Sequence, residues 1–317
     1  MLNCEENLPI NQKSDYLTIL IGSFNRLELL KKSINSIKNQ TRCPYEIIVI
    51  DGGSTDGTIE YLNAQQDITS VFQGELFGAS RAYNDVWRQI DSKYTCWLSD
   101  DTELINSGLD LAVQILETNP LIGMVGLKTK DVAGYWTSLP YIGALSIYGI
   151  LNCNHGVLSM ELLRSLGYFN QDYKTYLIDP DLTASVLCTG KKVVMTKGVC
   201  ILHHREWSDE NWKTKVQLTT QGIDHSKVYL EKFKFLEKRI FSDRIRKWIK
   251  RIMSLPLIDK FLMKIMKLNS RDWLNLTQGR FINPMDVYQN AYNVYHNVQS
   301  IPREILDREN NPYKHLL

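Results

Sequence analysis

No stretch of the 317 residues approaches the ~18 consecutive apolar positions that a membrane-crossing helix requires. Cysteines are few and scattered: Cys4, Cys43, Cys96, Cys153, Cys188 and Cys200 form no CxxC pair and no ladder of short spacings. That pattern argues against a disulfide framework or a zinc site and fits a reducing compartment. The opening stretch, Met1 to Tyr16, has no basic start followed by an apolar segment, so no secretory leader is expected. Charge of one sign is also lacking, since 37 Lys and Arg stand against 35 Asp and Glu for a net +2. Nothing global pulls the chain towards nucleic acid, and none is expected as a partner. The GxGxxG spacing of dinucleotide binders is missing, which counts against an oxidoreductase. There is no internal repeat and no low-complexity tract. With 44% hydrophobic and 23% charged residues, the expectation is an ordinary cytoplasmic protein with a sizeable core.

What the chain does have is a regular alternation. Short β-branched runs at 17–23, 46–51, 68–72, 94–98 and 122–127 read as buried strands. Helical spacing fills 27–37, 79–90 and 106–117, and a helical turn opens at 58–62. Strand–helix alternation implies crossover connections and a mostly parallel sheet covered on both faces, an α/β fold. In such sheets ligands bind beyond the carboxyl ends of the strands, where the polar clusters of this chain fall. Residues 129–150 are aromatic and glycine-rich with poor periodicity, which predicts a loop-bearing region. Helices near 159–166 and 180–188 and strands near 193–196 and 199–202 follow, and after Gly222 the texture changes to long basic helices.

Two clusters carry candidate chemistry. Ser99, Asp100 and Asp101 leave the strand YTCWL together. Adjacent carboxylates there are poor neighbours unless something positive sits beside them, and a hard divalent cation bridging a diphosphate suits them. As a string alone, the box reads equally well as a polar strand exit whose Asp caps the next turn. The second cluster, from Asp51 through Gly52, Gly53, Ser54, Thr55, Asp56 and Gly57 to Thr58, follows the strand EIIVI. Its glycines let the backbone approach a ligand, and Asp51 can accept from a base or ribose. It also suits a tight turn followed by an N-cap at Ser54 or Thr55.

Together with Gly22, Ser23, Phe24, Asn25 and Arg26, these boxes resemble in order and spacing those of family 2 glycosyltransferases, which have the GT-A fold. The resemblance runs from ILIGSFNR through a helix ending in Gln40 and Thr41, the DGGSTDGT loop, GASRAYN and LSDDTE. It continues in HGVLSMELLRSLGYFNQDYKTYLIDPDL, which is similar to the family's acceptor-side segment. VCILHHRE resembles the strand that brings a late His to the metal, so the likeness covers residues 16 to about 210. Ser99 stands where an acid is common, Gly22 where proline is usual, and Ile178 where Glu is frequent.

The resemblance implies a Rossmann-like GT-A domain that binds a nucleoside-diphosphate sugar and a divalent cation, Mn²⁺ or Mg²⁺. The sugar would go to a growing glycan or lipid-linked saccharide, as in surface polysaccharide synthesis. Carried over by residue, Asp51 reads the nucleobase with Phe24 and Arg26 nearby, Ser23 and Asn25 shape the first loop, and Gly52 and Gly53 lie along the donor. Arg81 and Asn84 lie near the donor, and Asp100 holds the ribose or donor sugar. Asp101 and His203 ligate the metal, and Asp179 is the general base of an inverting displacement. Plainer alternatives stand beside these roles. Asp179 before Pro180 suits N-capping, and Arg81 can pair with Asp85 one turn on. His203 and His204 point to opposite faces of a strand, so at most one meets a metal. Two other functions stay open: a sugar nucleotidyltransferase, for which IGSFNR is a poor phosphate loop, and an inactive transferase-like scaffold serving as a binding module.

The expected organisation is a tail over 1–15, a catalytic domain over 16–225 and a basic helical C-terminal extension over 226–317. The catalytic domain divides into a nucleotide-sugar half, 16–128, and an acceptor half, 129–225. In the extension Tyr229, Phe233, Leu236, Ile240, Ile245, Trp248 and Ile252 recur at helical spacing among Lys and Arg residues. Such a face packs on the catalytic domain or, over 228–266, rests on an anionic bilayer at the inner face of the cell membrane.

Overall fold

Leu17–Ser23 is buried at every position but Gly22, the mark of a strand covered on both faces. The computed structural model describes residues 16–132, 145–204, 225–237, 251, 280–281 and 295–317. In chain order the first elements are β1 (Leu17–Ser23), α1 (Leu27–Gln40), β2 (Tyr45–Asp51), α2 (Thr58–Asn63), β3 (Thr69–Phe72) and α3 (Ala79–Trp87). Then come β4 (Tyr94–Ser99), β5 (Thr102–Leu104), α4 (Gly108–Thr118), β6 (Ile122–Gly126) and β7 (Thr129–Asp131). After these follow β8 (Gly156–Ser159), α5 (Met160–Ser165), α6 (Ile178–Cys188), β9 (Lys192–Thr196) and β10 (Ile201–His203). The last are α7 (His225–Lys232), β11 (Tyr295–Gln299) and α8 (Arg303–Leu306).

Among the described residues, eight strands form one sheet in the order β11-β9-β6-β8-β4-β1-β2-β3. Only β8 and β11 run against the other strands, so the sheet is mostly parallel, as the alternation implies. Side chains alternate between its faces with the period of two that a strand imposes. Ile19, Ile21, Ile47 and Val49 join one apolar cluster with Leu30, Ile34 and Ile37 of α1 and Leu109 and Val113 of α4. Leu20, Ile48, Ile50 and Trp97 join the other, with Tyr83, Val86 and Trp87 of α3, Leu163 of α5 and Leu182 of α6. Helices therefore cover both faces.

The chain begins in the middle of the sheet, steps outward through β2 to β3, and then returns to place β4 on the other flank of β1. That reversal opens a crevice beyond Ser23 and Ser99, where open α/β sheets take their ligands. A second sheet, β5-β10-β7, stands beside that crevice. Its strands of three residues are too short to show a period, and β7 falls inside the stretch expected to be loop-bearing.

Two side-chain amides act as substitute strand neighbours. Asn84 donates from Nδ2 to the Phe169 carbonyl (2.7 Å) and accepts at Oδ1 from the Phe169 N–H (3.0 Å). Gln299 does the same for Leu151, with the N–H at 2.7 Å and the carbonyl at 2.8 Å.

Gln299 belongs to β11, and here the helical reading of 226–317 is corrected. Tyr295–Gln299 is a strand that pairs antiparallel with β9. The pairing saves the β9 edge from exposure, and Ile301, Ile305, Leu306 and Tyr313 follow it into the core. Tyr229, Phe233 and Leu236 also pack into that core, so this part of the apolar face is spent on the catalytic fold. The tail over 1–15 and the basic stretches 238–250 and 252–279 lie outside the described residues. No helix among the described residues is long and apolar enough to cross a membrane. Gln299→Ala leaves a buried N–H and a buried carbonyl of Leu151 without their partner. Its urea midpoint should fall by an amount equal to about 2–4 kcal/mol with an unchanged slope.

Candidate active site

The crevice is built by neighbouring strand ends. Asp100, 1% exposed, accepts at Oδ2 from the Ser23 hydroxyl and from the Phe24 N–H, both at 3.2 Å. Arg26 reaches across from the same loop, with Nη1 2.9 Å from Asp101 Oδ2 and 3.5 Å from Asp100 Oδ1. The small sheet supplies the opposite wall. In its register His203 lies beside Thr102 on one side and Asp131 on the other. His203 Nε2 stands 3.2 Å from Asp101 Oδ1, and its Nδ1 stands 3.2 Å from Asp131 Oδ1. His204 points the other way, 2.8 Å from Glu103, while its backbone N–H donates to the Asp101 carbonyl.

This donor set fits a divalent cation. An imidazole held through Nδ1 by a carboxylate presents its Nε2 lone pair forward, an arrangement common behind metal ligands. That lone pair and the Asp101 carboxylate face each other at 3.2 Å, a pairing that calls for a proton or a cation between them. Among the described residues no three His, Cys, Asp or Glu side chains form a full cage. A cation here would complete its shell with water and diphosphate oxygens, as Mg²⁺ characteristically does.

The first two loops are tied together. Asn25, at φ +51, accepts at Oδ1 from the Thr55 N–H (2.7 Å), and its own N–H donates to Ser54 Oγ (2.8 Å). Asp51 is fully buried, with Oδ1 accepting from the N–H groups of Gly53 and Ser54 and Oδ2 accepting from the Ser54 hydroxyl. It is thus the internal anchor of its own loop. Gly53 sits at φ +91, where an added Cβ would meet the Gly74 carbonyl, so only glycine is accommodated.

A cleft of about 380 Å³ opens here. Ser23, Gly52, Tyr83, Ser99, His155, Tyr176, Asp179 and His203 are among its walls. Asp179 is not the N-cap of α6. The helix starts at Ile178, its N-cap is Leu177 at φ +68, and Asp179 lies in the first turn with its carboxyl on the cleft. Burial pushes that carboxyl up to about 7, against a smaller opposing pull from a backbone hydrogen bond.

Two residues expected near the donor are not among the residues that line the cleft. Asn84 has no exposure and its amide is consumed by Phe169, so it holds α3 in place instead. Arg81 is half exposed, pairs with Asp85 at 3.4 Å and lies over the Phe77 ring. The α3 residues that reach the cleft are Ala79, Ala82 and Tyr83; the Tyr83 hydroxyl donates to the Leu98 carbonyl (2.6 Å) and accepts from the Gly22 N–H (3.0 Å). Sequence reasoning missed Tyr83, although it shares a helical face with Ala82 and Val86. It also missed His155, whose Nδ1 lies 3.3 Å from the Trp97 carbonyl, and Asp131, for which no local signal exists.

Residues 18–171 match the sequence profile described as Glycosyl transferase family 2. This stretch, just under half of the chain, is similar to the family 2 glycosyltransferases. The chain is 32% identical over 130 residues to the GalNAc(5)-diNAcBac-PP-undecaprenol beta-1,3-glucosyltransferase of Campylobacter jejuni, covering 37% of this chain and 42% of that protein. It is 24% identical over 183 residues to the poly-beta-1,6-N-acetyl-D-glucosamine synthase of Staphylococcus epidermidis, covering 52% of this chain and 44% of that one. It is also 23% identical over 172 residues to WfaP of Escherichia coli, a UDP-Glc:alpha-D-GlcNAc-diphosphoundecaprenol beta-1,3-glucosyltransferase, covering 52% and 68% of the two chains. The chain thus spans less than half the length of the first two family relatives. In three dimensions it is similar to S. aureus TarS 1-349, with a TM-score of 0.50 at 14% identity over 84% of this chain and 93% of that one. The fold is the GT-A arrangement.

The raised carboxyl of Asp179 has a consequence for stability. An unfolded Asp titrates at about 3.9, so folding favours the protonated form between that value and about 7. The favourable contribution is full below the lower value and is lost as pH rises through the upper one. Asp179→Asn should therefore melt higher than the parent at pH 8, by an amount worth about 1–3 kcal/mol because the carboxyl meets solvent at the cleft, with the gap closing towards pH 4. Calorimetric melts across that range provide the check.

Proposed function

We propose that this chain transfers a glycosyl unit from a nucleoside-diphosphate sugar to a hydroxyl of a lipid-linked saccharide, with inversion at the anomeric carbon. One observation carries the reading: His203, joined to Asp101, and Asp179, lifted to about 7, line the same cleft at the switch point of the sheet. Asp101 and His203 would hold a divalent cation, which would supply Lewis-acid neutralisation of the departing diphosphate.

The chain's own side chains do the rest. Asp131 fixes the His203 ring so that Nε2 faces Asp101. Gly52, on the cleft wall, offers bare backbone to the nucleotide, and the anchored Asp51 keeps that loop in shape. Asp179 takes the acceptor's proton, and a carboxylate poised near neutrality is well matched to that task. With one base on the acceptor side, attack comes from the face opposite the leaving group. The Campylobacter and Escherichia relatives, which act on undecaprenol-linked saccharides, support a lipid-linked acceptor.

Asp179→Asn should lower kcat by about 10²–10⁴-fold while nucleotide affinity stays within about twofold. In the parent, kcat/KM should climb with pH through about 7, and the Asn variant should lose that limb. An Asp179→Asn enzyme of parental rate removes the base assignment. Proton NMR of the product checks the stereochemistry separately, and a retained anomeric configuration rules out single displacement.

Asp101→Asn removes an anionic ligand and should abolish turnover while leaving the far-ultraviolet dichroism unchanged. A variant with near-parental turnover in Mn²⁺ would show that the cation is not held there.

A further inference from the structure

Arg26 is expected from the resemblance to lie along the nucleotide, yet its guanidinium is spent on the acid pair. One nitrogen, Nη1, stands between carboxylate oxygens of Asp100 and Asp101, at 3.5 and 2.9 Å. The three side chains are 10%, 1% and 9% exposed, so this is a nearly dry cluster of two anions and one fixed cation. Buried carboxylates of this kind are costly without a positive partner. Arginine, moreover, cannot release its charge by deprotonation.

We propose that Arg26 is a built-in stand-in for the metal: it neutralises Asp100 and Asp101 when the cleft is empty and yields them only to a cation that arrives with a diphosphate. This rests on the transferase reading above, with the cation at Asp101. A divalent ion entering alone meets a guanidinium already on the Asp101 carboxylate, so two positive groups compete for one anionic site. A diphosphate changes the balance, because its oxygens take up both the ion and the released fork of the arginine. The side chain makes no cap hydrogen bond to α1, so the exchange does not break the start of the helix. Arg26 is the N-cap of α1, with φ −145° and ψ 47°, and only its backbone carbonyl is committed to the first helical turn. The outcome is a coupling between metal and nucleotide that keeps the site closed to free metal ions.

The test measures Mn²⁺ alone, without nucleotide, by the loss of its free electron paramagnetic resonance signal. Arg26→Gln should bind Mn²⁺ at least about tenfold more tightly than the parent, a difference of about 1.4 kcal/mol. An Arg26→Gln protein that folds only with Mn²⁺ present also supports the proposal, since the ion then replaces the guanidinium. Affinity equal to or weaker than the parent's, or a variant that stays unfolded with Mn²⁺, overturns it. Adding Asp101→Asn to Arg26→Gln separates the two readings. Loss of Mn²⁺ in the double variant beside an unimproved single variant defeats the Arg26 proposal alone. A double variant that binds Mn²⁺ as well as the single one defeats the metal assignment beneath it.

Discussion

Two carboxylates on consecutive residues, both nearly sealed from water, set the terms for this end of the molecule. Asp100 and Asp101 leave a central strand, and each must be met by positive or donating groups. Asp100 is met by β1's loop, which is adjacent because β1 and β4 pair in parallel register. Asp101 is met by His203, which arrives on β10 and is backed by Asp131 on β7. The three-stranded sheet is small, and its register is what places a histidine between two acids. Removing any one of these contacts leaves a buried charge to be satisfied by something else.

The parts of this arrangement legible in the sequence are those with a local signature. Long buried strands such as β1 and β2 announce themselves by unbroken apolar runs, and the acid box and glycine loop by their place at strand ends. Asp131 is invisible by the same logic, because its partner His203 lies 72 residues away and only strand pairing joins them. Asn84 and Arg81 lie outside the cleft lining for another reason. A motif names a helix near the donor, but which of its faces looks into the cleft depends on packing, and here the cleft receives Tyr83. The plainer reading of Asp179 as a cap fails because α6 starts earlier than Pro180 suggests, which carries the acid into the helix.

Helical geometry also separates two acids that look alike in sequence. Asp179 and Asp181 are two residues apart on α6 and so point roughly 200° from one another. The first lines the cleft. The second is buried, accepting from the Tyr173 hydroxyl at 3.0 Å and pairing with Lys232 at 2.6 Å. One acid is left on the cleft while its near neighbour pins α7 to the domain. Ser185 continues that pin to the Tyr313 hydroxyl at 2.8 Å.

Tyr313 and β11 lie about a hundred residues beyond the elements they complete, and ribosomes make proteins from the N-terminus. A growing chain that has reached β9 has an open sheet edge, because its antiparallel partner begins about a hundred residues later. The helix bearing Asp179 likewise waits for Tyr313 before its inner face is complete. The loops at the ends of β1 and β2 are built from contacts close in the chain, whereas this wall of the cleft depends on pairings that span about a hundred residues.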